Sequence, residues 1–283
     1  MTIRRTAERP RVSIGEHGPH RVFAYLWQHR SLIYRLTRRE VEGRYRGSLL
    51  GLAWSFITPV LMIVVFTFVF SIVFKVRWDV EIGGKSEFAL ILFAGLVVFQ
   101  FFADCIGRAP GLMLENVSYI KKVVFPLEAL GWVAVGGALF NVMVNLAVLL
   151  VAHVVLIGVP PWTVILVPLV FLPFAIMLVG GVWLLAALGV YVRDLRQVIG
   201  VLVTLLMFVS PIFYPVSALP EALRAYMYLN PLAYIIEQTR VVLLYGGLPD
   251  LAGLGFYALA GWAVAWVGYV WFTLTKRGFA DVV

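Results

Sequence analysis

ALGWVAVGGALFNVMVNLAVLLVAHVVLIGVPPWTVILVPLVFLPFAIMLVGGVWLLAALGVYV, residues Ala129–Val192, holds no Asp, Glu, Lys or Arg in 64 consecutive positions. As one helix it would be about 96 Å long at 1.5 Å per residue, about three times the thickness of a bilayer's hydrocarbon core. It must therefore fold back on itself. Gly158-Val159-Pro160-Pro161 is the strong breaker near its middle, so one span should end near Ile157 and the next begin near Trp162. Arg193, Asp194 and Arg196 then mark a tight turn at the membrane surface. The class that follows is all-α integral membrane, since a β-barrel would show short alternating segments instead.

Outward from this hairpin, the same logic finds four more spans. Leu49–Phe74 is charge-free and follows a charged run holding Glu40, Glu42, Arg44 and Arg46. Arg44 and Arg46 should stop at the headgroups, which puts the inner end at Arg46 and the outer end near Lys75. Lys75–Glu87 is a polar outer loop, and Phe88–Ile106 returns inward with Asp104 near its inner end. Gly107–Leu127 is a polar inner loop. Beyond the hairpin, a fifth span is expected from Gln197 to Phe213, broken by Pro211 and Pro215. Leu251–Thr275 is the sixth, and Lys276-Arg277 anchors it inside. Val216–Leu248 is amphipathic and is cut at Asn230-Pro231 into pieces too short to cross, so two short external re-entrant or interfacial helices are expected within residues 215–249. In this arrangement 18 of the 23 Lys and Arg lie inside, which fits the positive-inside rule with both termini cytosolic.

The N-terminal region divides in two. Residues 1–21 lack the apolar core of a signal peptide and are expected to form a mobile cytosolic arm. Residues 22–46 are expected to form an amphipathic interface helix on the inner leaflet. Val22, Leu26 and Ile33 share one side, and Arg35, Arg38, Arg39 and Glu42 share the other. Packing of this helix on a partner protein is the alternative. Residues 47–277 then form the transmembrane domain, and residues 278–283 a cytosolic tail.

Composition excludes several functions. Charged residues make up 13% of the chain and hydrophobic ones 62%. The net charge of +8 is concentrated beside the first span, which suits anionic headgroups and topology rather than nucleic acid. A lone Cys105 rules out an intrachain disulfide and a cysteine metal site. Gly84-Lys85-Ser86 matches only the tail of a phosphate-binding loop, because Asp79 stands where its first glycine belongs. No span carries an acidic pair for a proton relay, and no catalytic or metal-ligand cluster is present, so a transport subunit is favoured over an enzyme. Asn141, Asn145 and His153 are polar within the third span, and the two amides are expected to bond a neighbouring helix. Gly136-Gly137 and Gly180-Gly181 are expected to permit close helix approach.

Three stretches resemble the permease subunit of polysaccharide-exporting ABC transporters, a family that handles O-antigen, capsular polysaccharide or teichoic acid. The first is Arg44-Tyr45-Arg46-Gly47-Ser48-Leu49-Leu50-Gly51 with Ala53-Trp54 and Thr58-Pro59. The second is Leu114–Pro126, LENVSYIKKVVFP. The third is Ser210–Pro215 with Leu229-Asn230-Pro231-Leu232. The resemblance implies a homodimeric channel with two copies of a separate ABC ATPase, which would hold the ATP and Mg, in a bacterial inner membrane. No cofactor is expected in this chain. It implies that Asn116, Tyr119, Ile120, Lys121 and Lys122, in the inner loop 107–127, couple to that ATPase. An ordinary positive-inside anchor is the alternative role, which the lysines satisfy alone. Arg44 and Arg46 are candidates to guide a lipid carrier's phosphates, and Tyr214, Asn230, Pro231, Glu237 and Arg240 for an external gate.

Ile63, Phe66, Phe70 and Phe74 stack on one side of the first span, and Phe208 and Phe213 are candidates to complete a wall along which sugar slides. Packing against lipid or another helix is the plainer role for such rings. The expected cargo is a lipid-linked polysaccharide; membrane lipids and periplasmic export proteins are further candidate partners, and nucleic acid is not. A drug or small-lipid ABC exporter and a secondary transporter are the alternatives.

Overall fold

The reversal expected between the two longest apolar runs is present. The computed structural model describes residues 18–44, 46, 50–66, 68–69, 85–121, 125–227 and 230–283, and every regular element among them is helical. In chain order these are α1 (Arg21–Gln28), α2 (Arg30–Arg44), α3 (Trp54–Phe66), α4 (Lys85–Ile106), α5 (Val117–Ile120) and α6 (Ala129–Leu156). There follow α7 (Val167–Tyr191), α8 (Leu195–Val209), α9 (Glu221–Met227), α10 (Pro231–Leu243), α11 (Leu251–Thr275) and α12 (Phe279–Val282).

Among the described residues four stretches are long and apolar enough to cross a membrane: Glu87–Gly111, Ala129–Leu156, Trp162–Tyr191 and Leu251–Val282. Trp54–Phe66 and Leu195–Val209 are apolar but shorter. The 13 residues of α3 rise only about 20 Å, less than the roughly 30 Å of a hydrocarbon core. The charge-free run predicts a first span from Leu49. Instead a 3-10 turn at Gly51–Ala53 precedes α3, and Gly51 adopts a left-handed φ of 49° that glycine tolerates. Phe70, Phe74 and residues 75–84 of the outer loop lie outside the described residues. The last residues assigned to that loop already belong to α4, whose first turn carries Glu87, a favourable charge at a helix N-terminus.

The hairpin closes by local chemistry. α6 ends when Ile157 N–H and Gly158 N–H both donate to the His153 carbonyl, and Gly158 turns with φ 126°. The His153 ring, 3% exposed, hydrogen-bonds the Gly158 carbonyl at 3.1 Å, so this polar residue of the third span closes its end. Extended backbone at Pro161 and a 3-10 turn over Trp162–Leu166 then lead into α7. Thr163 Oγ1 donates to the Val242 carbonyl at 2.7 Å and ties the hairpin to α10.

Packing centres on α4, α6, α7 and α11. Residues 88–94 of α4 are buried without interruption. α7 and α11 make the closest pairing: a Cβ on Gly268 would lie 2.2 Å from the Gly180 carbonyl oxygen, and one on Gly180 would lie 2.5 Å from Ala265 Cα. Glycine is therefore obligatory at this crossing, as in close helix pairs of membrane proteins. Gly136-Gly137 allows close approach too, but to α2: a Cβ there would meet Thr37 Oγ1 at 2.9 Å or Glu40 Oε1 at 3.2 Å.

The N-terminal amphipathic helix is two helices, hinged at His29. Its apolar side faces the protein, with Val22 0%, Ile33 7% and Val41 9% exposed, and Ile33 packs on Ala129 and Val133 of α6. Phe23, Trp27 and Tyr34 stay exposed. α8 stops at Val209, short of Phe213, because Pro211 forces Ser210 out of helical geometry, to ψ 148°. Within residues 278–283, expected as a cytosolic tail, Phe279–Val282 form α12. Phe279 is fully buried between Tyr191 and Phe272, with ring centroids at 6.1 and 5.5 Å.

Candidate functional site

At the end of the bundle that carries α5, charge is arranged around Glu40. Its Oε1 accepts from Arg44 and from Arg108, each at 2.8 Å. α2 brings Glu40 and Arg44 together at i,i+4 spacing, and the turn after α4 supplies Arg108. Arg39, one turn before Glu42 on α2, donates to the Tyr119 hydroxyl, with its guanidinium 5.8 Å from that ring. Tyr119 is in turn stacked on Phe125 at 4.2 Å. Beside these groups lies a cavity of about 160 Å³ lined by Leu36, Arg39, Glu40, Arg108, Leu112, Asn116, Tyr119, Leu130 and Val133.

This brings several sequence-selected residues to one place and separates others. Asn116 and Tyr119 line the cavity, and Asn116 Nδ2 donates to the Leu112 carbonyl at 2.8 Å. Lys121 is exposed, while Lys122 lies outside the described residues. Ile120, which the resemblance implies to couple to the ATPase, is 9% exposed and belongs to the main hydrophobic core of this chain. Arg44 has its charge met by Glu40, and Arg46 is exposed. The cluster of Arg39, Glu40 and Arg108 is not legible in the sequence, because 68 residues separate Glu40 from Arg108. The one readable signal is the i,i+4 pair Glu40 and Arg44.

A second link at the same end joins the termini of the bundle. Lys276, after α11, pairs with Glu128, which is 4% exposed before α6. Tyr25 of α1 donates to the other Glu128 oxygen at 3.4 Å. Burial and the Glu128 charge push the Tyr25 phenol far above its usual range, so it stays a donor.

The opposite end carries the residues selected for an external gate. Asn230 caps α10, accepting from Leu232 N–H at 3.0 Å, and its Nδ2 donates to Ser210 Oγ at 3.0 Å. Pro231 takes the first helical position, where its missing N–H costs nothing. Tyr214 donates to the Val209 carbonyl at 2.7 Å, closing the end of α8. Glu237 and Arg240 do pair, at 2.9 Å. Of the candidate sugar wall, Ile63 is 7% exposed and packed inside the protomer, Phe66 is half-buried and Phe208 is 62% exposed. Phe213 lies 6.4 Å from Phe208, ring to ring. Asn141 is accounted for by packing: it donates to Asp104 on α4 at 2.9 Å.

The pattern of the family described as "ABC-2 type transporter" matches residues 31–244, well over half of the chain. The chain belongs to the ABC-2 type transporter family. The match runs from α2 to just past α10 and so takes in both ends of the bundle described above. Among individual proteins, the chain is 29% identical over 265 residues to "O-antigen export system permease protein RfbA" of Myxococcus xanthus, spanning 93% of this chain and 99% of that one. It is 24% identical over 263 residues to the protein of the same name from Klebsiella pneumoniae, spanning 89% and 95%. To "Polysialic acid transport protein KpsM" of Escherichia coli it is 21% identical over 248 residues, spanning 82% and 89%.

Proposed function

We propose that this chain is the membrane subunit of an ATP-driven exporter that moves lipid-linked polysaccharide, of O-antigen or capsule type, across the bacterial inner membrane. The observation that carries the reading is similarity to an O-antigen export permease along 93% of this chain and 99% of that relative. Two copies form the channel, and two copies of a separate ABC ATPase supply the energy. ATP and Mg are held by that subunit. The chain crosses the membrane six times with both ends inside, which the distribution of Lys and Arg supports. α9 and α10 then lie on the outer side. The loop 107–127 meets the ATPase through exposed Lys121, its neighbour Lys122 and the Asn116–Tyr119 turn. Two positive charges there suit an acidic rim.

The test is co-purification of the tagged chain with the ATPase produced beside it, followed by hydrolysis assays with and without lipid-linked O-polysaccharide. Stimulation by the glycan lipid, and its loss in the Lys121→Glu, Lys122→Glu variant with membrane insertion intact, is the expected result. An ATPase that co-purifies but responds to small drugs or short lipids, and not to the glycan lipid, would overturn the cargo.

A further inference from the structure

The cavity between α2, the turn after α4 and the start of α6 has a composition that none of the roles above requires. Arg39 and Arg108 line it together with the Glu40 carboxylate, which Arg44 also pairs from outside the lining; Asp104 and Glu115 act on Arg108 from farther off, and Glu115 has its own partner in Arg196. Arg44 and Arg108 share one oxygen of that carboxylate, so one of these two charges is left uncompensated by it. Among the described residues, the contacts of Arg39 are with the neutral hydroxyl and ring of Tyr119. The first two turns of the 28-residue helix α6 form another wall, through Leu130 and Val133, and bring the positive end of its dipole. The cavity is therefore strongly attractive to an anion.

It is also half apolar. Leu36, Leu130 and Val133 face the same space as Arg39 and Arg108. Its volume of about 160 Å³ is below that of a site for a whole small-molecule ligand. It suits the phosphate and glycerol of a larger amphiphile whose chains stay outside. α1 and α2 also expose Phe23, Trp27 and Tyr34, the aromatic types that settle at headgroup depth.

We propose that this cavity is a site for the headgroup of an anionic glycerophospholipid of the inner leaflet, its phosphate held by Arg39 and Arg108. A phosphodiester carries one negative charge, which the excess here neutralises without stripping Glu40 of its partners. The lipid-carrier diphosphate of the cargo shares the chemistry but not the fit. A volume of about 160 Å³ suits one phosphate with its glycerol better than two phosphates continuing into a glycan. Bound there, the phospholipid phosphate joins α2 to the turn after α4. The inference rests on the inner-side placement proposed above and not on the cargo.

The experiment is native mass spectrometry of the full-length chain in neutral detergent, titrated with phosphatidylglycerol or phosphatidylcholine. One retained phosphatidylglycerol per chain, preferred over phosphatidylcholine, is expected. The Arg39→Ala, Arg108→Ala variant should weaken that retention about tenfold or more, the cost of losing charge-assisted contacts. Arg44 still pairs with Glu40 in this variant, which protects the fold. Leu36→Trp, which fills the cavity and keeps every charge, should weaken it as well, whereas Arg277→Ala on the same side should not. Equal retention in wild type and both cavity variants would overturn the site. Displacement of phosphatidylglycerol by inorganic diphosphate or a polyprenyl diphosphate, at lower concentration than phosphatidylglycerol itself requires, would assign the cavity to the carrier and overturn the proposal. Lipid retention is read without export or ATP hydrolysis, so failure of the cargo reading leaves this outcome separately visible.

Discussion

Arg240 has no solvent-exposed side-chain surface, yet it carries a full charge. Its Nε donates to the Ile91 carbonyl at 3.2 Å, one terminal nitrogen to the Ile212 carbonyl at 2.9 Å, and the other to Glu237 at 2.9 Å. The planar guanidinium thus joins α4, the turn after α8 and α10 in one plane of donors, which an ammonium cannot match. Gly95 makes room for it, since a Cβ there would lie 3.0 Å from the guanidinium. Arg240→Ala should destabilise the chain by about 2–4 kcal/mol, because it empties a fully buried site and removes the donor to the Ile91 and Ile212 carbonyls, while Glu237, 37% exposed, keeps contact with solvent. Arg240→Lys should fall between Ala and wild type. Thermal unfolding of the detergent-purified proteins checks this, and an Ala variant that melts with the wild type would show that the three contacts hold nothing together.

At the scale of elements, α7 and α11 are held by van der Waals contact across glycines, since lipid tails give helices no hydrophobic reason to associate. The Gly268 backbone touches the Gly180 carbonyl too closely for any Cβ, and a carbonyl in a packed helix cannot move aside. Gly268→Ala should push the two helices apart and cost about 1–3 kcal/mol, the usual range for overpacking. Gly255 lies on the same helix, and a methyl group added there would meet nothing within 4 Å. Gly255→Ala should be neutral or slightly stabilising, as Ala is the better helix former. Equal melting temperatures for the two variants would contradict the close crossing.

At the scale of the whole molecule, the placement of α9 and α10 decides how many times the chain crosses. Glu221 is exposed at the start of α9, and Leu248 is 67% exposed after α10. Single cysteines at these two positions, in a Cys105→Ala background, should both react with a membrane-impermeant thiol reagent added from outside. Leu248 is a better reporter than Gly246, whose φ of 67° would strain a side chain. Reaction at only one of the two positions would mean a crossing between them. α10 is nonetheless no loose cap: Leu232, Ile235, Ile236, Val242 and Leu243 are wholly buried in the protomer. This segment is built into the bundle.

The amino-acid sequence by itself determined the elements whose signals are local. The hairpin at residues 158–161 follows from length against bilayer thickness plus Gly and Pro, and α11 has the bounds that its apolar run and flanking charges dictate. The cut at Asn230-Pro231 follows from cap chemistry, and the structure puts both residues in those roles. What the tertiary structure decided is everything that depends on distant neighbours. Gly136-Gly137 reads as a site of close helix approach, and the structure supplies the partner, α2. Ile120 reads as a partner-facing residue and is needed in the core. Arg240, read as an outer-side positive charge, is buried. Glu40 finds Arg108 and Arg39 finds Tyr119 only because α2 folds back on α6. Periodicity says which face of a helix is apolar, but the energy that selects its partner is a packing term between residues far apart in sequence, and no local pattern records it.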